Sequence, residues 1–156
     1  MLRLWWFATL LLASLSLTME SAHLLELPQK MQYDAQLYST VNTTLYRYFA
    51  VVGGVYQIGA IVAALVLVFF VGSRSDAFGW TLAGALCLVA AFGVWLAVVE
   101  PVNVQIFERL RVSPASVPDL WMQLRLRWEG GHVAGFVLQL AGLASLLWSV
   151  VRQVSR

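Results

Sequence analysis

Apolar runs without charge alternate with short polar stretches along this chain. Phe49–Val71 and Ala77–Val99 each extend for 23 residues without an Asp, Glu, Lys or Arg, and Val133–Val151 extends for 19. At about 1.5 Å per helical residue, each can cross a hydrocarbon core roughly 30 Å thick. Leu4–Met19 has only 16 residues, but reaches spanning length if its helix continues through the polar segment Glu20–Glu26. Arg3 before this run, with Ser14 and Ser16 inside it, also fits a signal-peptide template. The polar continuation argues for a retained helix. The pattern therefore predicts one membrane domain, residues 1–156, with transmembrane helices at about 4–26, 47–71, 77–99 and 132–152.

The connections refine that picture. Gly72-Ser73-Arg74-Ser75-Asp76 is a tight turn rich in turn and cap formers. Residues 27–46, with Pro28, Tyr33, Tyr38, Asn42 and Tyr46, have room for a short surface helix. Residues 100–131 open on Glu100-Pro101, pass a turn at Ser113-Pro114, and predict an amphipathic interfacial helix from Pro118 with Leu120, Trp121, Leu124 and Trp128 on one face. The expected fold is all-α: an antiparallel four-helix membrane bundle with a short amphipathic helix before the last span. Gly79, Ala83, Cys87 and Ala91 recur every fourth position, and Gly131, Gly135, Gly142 and Ser149 repeat the device, as expected for close helix packing within the chain or between copies.

Composition agrees: 60% of residues are hydrophobic, 12% are charged and mean hydropathy is +0.76, which sets the chain apart from soluble domains. Membrane lipid is the expected environment. A net charge of +2 without a Lys/Arg cluster argues against nucleic acid. The lone Cys87 excludes an intrachain disulfide, a CxxC redox pair and a zinc ribbon.

Alternating helix directions gather the polar residues at one membrane face. Helix one brings Glu20, His23 and Glu26, helix three Glu100 and Asn103, and helix four Arg125, Arg127, Glu129 and His132. Arg3 before the first span favours a cytoplasmic N-terminus, although the Lys/Arg count of the loops does not. The two histidines each follow a Glu by three residues, as Glu20-x-x-His23 and Glu129-x-x-His132. In di-metal carboxylate bundles two helices each provide such a pair and two others each provide a Glu. Glu100 is a candidate extra carboxylate, but helix two offers only Gln57. A single metal on His23 and His132 with Glu26, Glu100 or Glu129 would suit iron, zinc or copper. A haem between the two histidines, a cofactor-free organic site, and plain interfacial ion pairs of Arg125 and Arg127 with Glu26, Glu100 or Glu129 are the alternatives.

The blocks "AHLLELPQKM", "PVN" and "LRLRWEGGHVAG" together resemble a group of small bacterial integral membrane proteins of unknown function, which is distantly similar to the fungal anthrone oxygenase-like family. The matching positions are His23, Glu26, Pro28, Asn103, Arg127, Trp128 and His132. The resemblance implies a multi-pass protein of the bacterial inner membrane. It also implies oxygen-dependent oxidation of a hydrophobic small molecule without metal or other cofactor. His132 or His23 would be the base, Arg127 and Asn103 would stabilise the anion, and Trp121, Trp128 and Tyr46 would line a flat pocket. The competing expectation is a non-enzymatic membrane subunit, or a lipid- or quinone-binding protein, whose ion-pair cluster is structural and faces a membrane partner or a second copy.

Overall fold

The structure, a computed structural model, describes residues 1–112 and 118–154. Six α-helices follow in order: α1 (Leu2–Lys30), α2 (Ala35–Thr44), α3 (Phe49–Val71), α4 (Phe78–Val94), α5 (Glu100–Val112) and α6 (Pro118–Val154). A 3-10 turn, Leu45–Tyr48, joins α2 to α3, and a π-helical turn, Trp95–Val99, joins α4 to α5. No strand occurs among the described residues. Four stretches are long and apolar enough to cross a membrane: Leu2–Lys30, Phe49–Val71, Phe78–Ile106 and Trp121–Gln153. Helices α1, α3, α4 and α6 pack in a ring, each against two neighbours, and make the multi-pass four-helix bundle.

One periodicity explains the ring. The buried residues of α1 are Trp6, Thr9, Ala13, Ser16, Glu20, His23 and Lys30, which advance by three and four residues in turn, with half-buried Leu27 filling the last step. Helix α6 repeats the rule through Arg125, Trp128, His132, Gly135, Gln139, Gly142, Leu146 and Ser149. Alternating steps of three and four keep a seam facing its neighbour in a left-handed bundle. The seams carry polar side chains, while Leu4, Phe7, Val55, Val62, Phe69, Val137 and Leu147 are exposed, so the usual amphipathic pattern is turned inside out. That arrangement suits a lipid surround.

The close α4–α6 contact follows this register, which the four-residue stripe joins at Cys87 and Ala91 but not at Gly79. Gly79 is exposed and meets nothing, whereas a Cβ on Gly84 would lie 2.7 Å from Leu146 Cγ and 3.0 Å from the Gly142 carbonyl. Steps of four drift about 40° around a helix at each repeat, so Gly79, Ala83, Cys87 and Ala91 cannot share one line of contact. Thr81, Gly84, Leu88 and Ala91 are the buried seam.

Three boundaries differ from expectation. Helix α1 runs to Lys30 and includes Pro28. The third span does not end at Val99: it passes through the π-helical turn into α5. Pro101 has no N–H for the carbonyl of Ala97, four residues earlier, and Arg127 Nη2 donates to that oxygen at 3.1 Å instead. The amphipathic segment and the fourth span form one 37-residue helix, because Gly130-Gly131 costs helix propensity without supplying a stop. The turn expected at Ser113-Pro114 lies outside the described residues. Between α3 and α4 the tight turn is as expected, with Gly72 at φ 70°, a conformation that favours glycine.

The adjacent glycines of α6 should respond oppositely to substitution. A Cβ at Gly131 would come within 2.6 Å of Val99 Cγ2, but one at Gly130 meets nothing within 4 Å. Gly131→Ala should cost about 1–3 kcal/mol through overpacking, and Gly130→Ala should stabilise by up to about 1 kcal/mol through helix propensity. Thermal unfolding in detergent checks this contrast; equal shifts would mean that α6 does not approach Val99 closely.

Candidate functional site

The two ends of the bundle differ. At one end Trp6, Ala13, Ala60, Ala64, Leu67, Ala85, Leu88 and Leu146 close a dry core. Towards the other, the seam of α3 thins to Ala50 and Gly53, with Gly54 beside them, and these residues border a cavity of about 490 Å³. Helix α2, the 3-10 turn and the start of α6 roof that end. Tyr38, Tyr46, Val99, Val102, Ile106, Trp121, Leu124 and Trp128 pack there as a second core. Trp121 and Trp128, expected at the membrane interface, are therefore buried.

Glu20, His23 and His132 line the cavity, but the pairing crosses between helices. His132 Nδ1 lies 2.8 Å from Glu20 Oε2, joining α6 to α1. Gly135 makes room for this carboxylate, since a Cβ there would stand 3.3 Å from Glu20 Oε1. The imidazoles of His23 and His132 lie with centroids 4.0 Å apart and planes 35° apart. Around His23 stand Tyr46 at 4.6 Å, Trp128 at 5.0 Å and Phe49 at 5.3 Å between ring centroids. His23 Nδ1, His132 Nε2 and the Tyr46 hydroxyl are buried without a hydrogen-bond partner among the described residues, and so are Gln57 Nε2 and Gln139 Oε1. All five belong to residues of the cavity wall. Unpaired buried polar atoms are costly and uncommon, so their convergence on one cavity marks it as the candidate site.

A second polar cluster lies against the roof. Lys30 Nζ lies 3.2 Å from Glu129 Oε2, with both side chains buried. The Tyr38 hydroxyl donates to Glu129 Oε1 at 2.8 Å. Burial and the adjacent Glu129 carboxylate both push the Tyr38 phenol above its ordinary range, so it remains a donor. The Lys30 ammonium also stands over the rings of Trp128, at 4.8 Å, and Tyr46, at 5.2 Å. Those two rings thus serve the ion pair on one side and the cavity on the other. Trp128 is further held by donating Nε1–H to Asn103 Oδ1 at 2.8 Å, while Asn103 donates to Glu100 Oε2 at 3.1 Å.

The chain has no match to any known family pattern, curated protein or solved structure.

Trp121 packs in the roof rather than lining the cavity, whereas Glu20, His23, Tyr46, Asn103, Trp128 and His132, of the residues singled out from sequence, are on the cavity wall. Arg127 is not: it is exposed and bonded to the Ala97 carbonyl. Among the described residues Arg125 has no hydrogen bond to a carboxylate; it donates to the carbonyls of Tyr33, at 3.0 Å, and Lys30, at 3.5 Å, and so caps the end of α1. Glu129 is held by Lys30 and Tyr38, Glu100 by Asn103, and Glu26 has one buried oxygen without a hydrogen bond. The five residues His23, Glu26, Glu100, Glu129 and His132 are thus divided among different partners, and among the described residues no group of three or more His, Cys, Asp or Glu could hold a metal ion. A haem held by both histidines would need its iron between one nitrogen of each ring, and the two imidazoles, with centroids 4.0 Å apart, already lie against each other. Lys30 and Tyr38 were not singled out for a site role, although Lys30 continues the three-four seam of α1.

Proposed function

We propose that this protein is a membrane enzyme in which His132 deprotonates a flat, hydrophobic small molecule and the resulting anion is oxidised by dioxygen. One observation carries the reading: Glu20 engages His132 Nδ1, while Nε2 is left unpaired at a cavity walled by aromatic rings. With the proton of Nδ1 directed to the carboxylate, Nε2 holds the lone pair that a general base needs. Ala50, Gly53 and Gly54 of α3 and Phe92 and Trp95 of the third span all line the cavity, and Ala50, Val51, Gly93 and Leu96 on the same two elements are exposed. A lipid-dissolved substrate reaches the cavity between these two elements.

The resemblance to anthrone oxygenase-like proteins suggests a carbon acid as substrate. Proton removal from an activated methylene gives an anion, electron transfer to dioxygen and recombination with the returned proton give a hydroperoxide, and loss of water leaves a ketone. The sum balances: one methylene and one dioxygen become one carbonyl and one water, with both methylene hydrogens ending in that water. His23 assists as the second imidazole, and Asn103 acts by positioning Trp128 rather than by binding the anion. The test uses the full chain in lipid nanodiscs with anthrone as substrate. Oxygen uptake equal to the anthraquinone formed, above the spontaneous rate, is expected. Uptake should fall in Gly54→Leu, whose new side chain fills the cavity from a position where a Cβ meets nothing within 4 Å. A rate no faster than that of protein-free nanodiscs sinks the proposal.

A further inference from the structure

The floor of the cavity is amide rather than hydrocarbon. Gln57 of α3 and Gln139 of α6 are 6% and 1% exposed, both on their helix seams, and they leave Gln57 Nε2 and Gln139 Oε1 unpaired. Ser16 completes this floor, seven residues before His23 on α1, as Gln139 lies seven residues after His132 on α6. Seven residues of helix span about 10 Å. Beneath the floor stand Ala60, Ala64 and Leu67, which close the cavity with apolar packing. An amide at this depth finds a partner only in the protein or in what fills the cavity.

We infer that the cavity binds a planar lipophile with two polar ends: one meets the His23–His132 pair, and the other is a hydroxyl held between Gln57 and Gln139. This deepens the enzymatic reading and rests on its premise that the cavity takes a small molecule. A hydroxyl is the group that satisfies both amides, because its oxygen accepts from Gln57 Nε2 while its O–H donates to Gln139 Oε1. A carbonyl or an ether oxygen could answer only the donor. Exchanging the oxygen and nitrogen of both amides leaves the complementarity unchanged. Aromatic walls suit such a body: Tyr46, Phe49 and Trp128 stand near the histidines, and Phe92 and Trp95 complete the lining. Gln57 and Gln139 are thus specificity residues, reading the end of the ligand farthest from the chemistry.

The test compares 2-hydroxyanthraquinone with anthraquinone, which lacks the terminal hydroxyl, by quenching of tryptophan fluorescence in nanodisc-embedded protein. The hydroxyl should tighten binding about tenfold, the worth of a hydrogen bond to otherwise unpaired buried groups. Gln57→Leu and Gln139→Leu should each erase that advantage while keeping the affinity for the unsubstituted probe, which reports an intact cavity. Gln57→Met and Gln139→Met, closer in length, provide a second pair of variants. Equal affinities in the unaltered protein, an advantage that survives the substitutions, or no saturable binding of either probe would overturn the inference. His132→Ala should lose oxygen uptake but keep the hydroxyl preference. A preference without turnover in the unaltered protein removes only the catalytic reading, whereas turnover without a preference removes only this one.

Discussion

His132→Ala should lower the oxygen uptake of the reconstituted protein by about 10²–10⁴-fold, the range for removing a positioned general base. The binding of an unreactive anthraquinone should change far less, because the aromatic walls remain. Glu20→Gln is the sharper test, since it preserves shape and changes one atom of the pair at 2.8 Å. A glutamine that turns its amide NH towards Nδ1 donates to it and shifts the imidazole proton to Nε2, the position from which the base must act. The lone pair is then withdrawn from the cavity, and the rate should fall by at least about tenfold with little change in KM. His23→Ala should retain more activity than His132→Ala, because among the described residues no carboxylate hydrogen bond to His23 is present to fix its tautomer. Full activity in Glu20→Gln would separate the carboxylate from catalysis and leave it as a packing partner.

The legible and illegible parts of this site divide along one physical line. The four spans were readable because a charge-free run of 23 residues has few other fates. His23 and His132 could be assigned to the same end of the bundle from helix direction alone. Which carboxylate meets which imidazole was not readable: residues three apart share a helix face, yet Glu20 turns from His23, on its own helix, to His132 across the bundle. That choice depends on the axial register of α1 against α6, set by close contacts such as Gly135 against Glu20. Gln57 stands out in the sequence as the one polar group of helix two, but its company with Gln139 was hidden, since a lone Gln in an apolar span looks tolerated until both prove to line one cavity. Lys30 could have been found by extending the steps of three and four past Leu27. The four-residue count over Gly79, Ala83, Cys87 and Ala91 meets the packed face of α4 only in its second half, where Cys87 stands against Gly142 and Ala91 is buried, while Gly79 is exposed.

Lys30→Met should be the most destabilising change at the roof, by about 3–5 kcal/mol, because it strands Glu129 as a buried carboxylate without its cation. Replacing both partners, Lys30→Met with Glu129→Leu, should recover much of the loss, since burying neither charge avoids both desolvation penalties. Tyr38→Phe removes one hydrogen bond to the same carboxylate and should cost less, about 1–3 kcal/mol. The contribution of Tyr38 has a defined pH window. Its folded-state pKa is raised above the unfolded value of about 10, so its share of stability is full below pH 10 and declines as the pH rises towards the folded value. Denaturation followed by tryptophan fluorescence reads all three variants, because Lys30 stands directly over the Trp128 ring. If single and double replacements lose equal stability, the ion pair is not a coupled unit. If the double variant is stable but its cavity no longer binds anthraquinone probes, Lys30 and Glu129 are needed to hold the Tyr46 and Trp128 rings in place: the charge that looks structural from the roof would set the shape of the site from above.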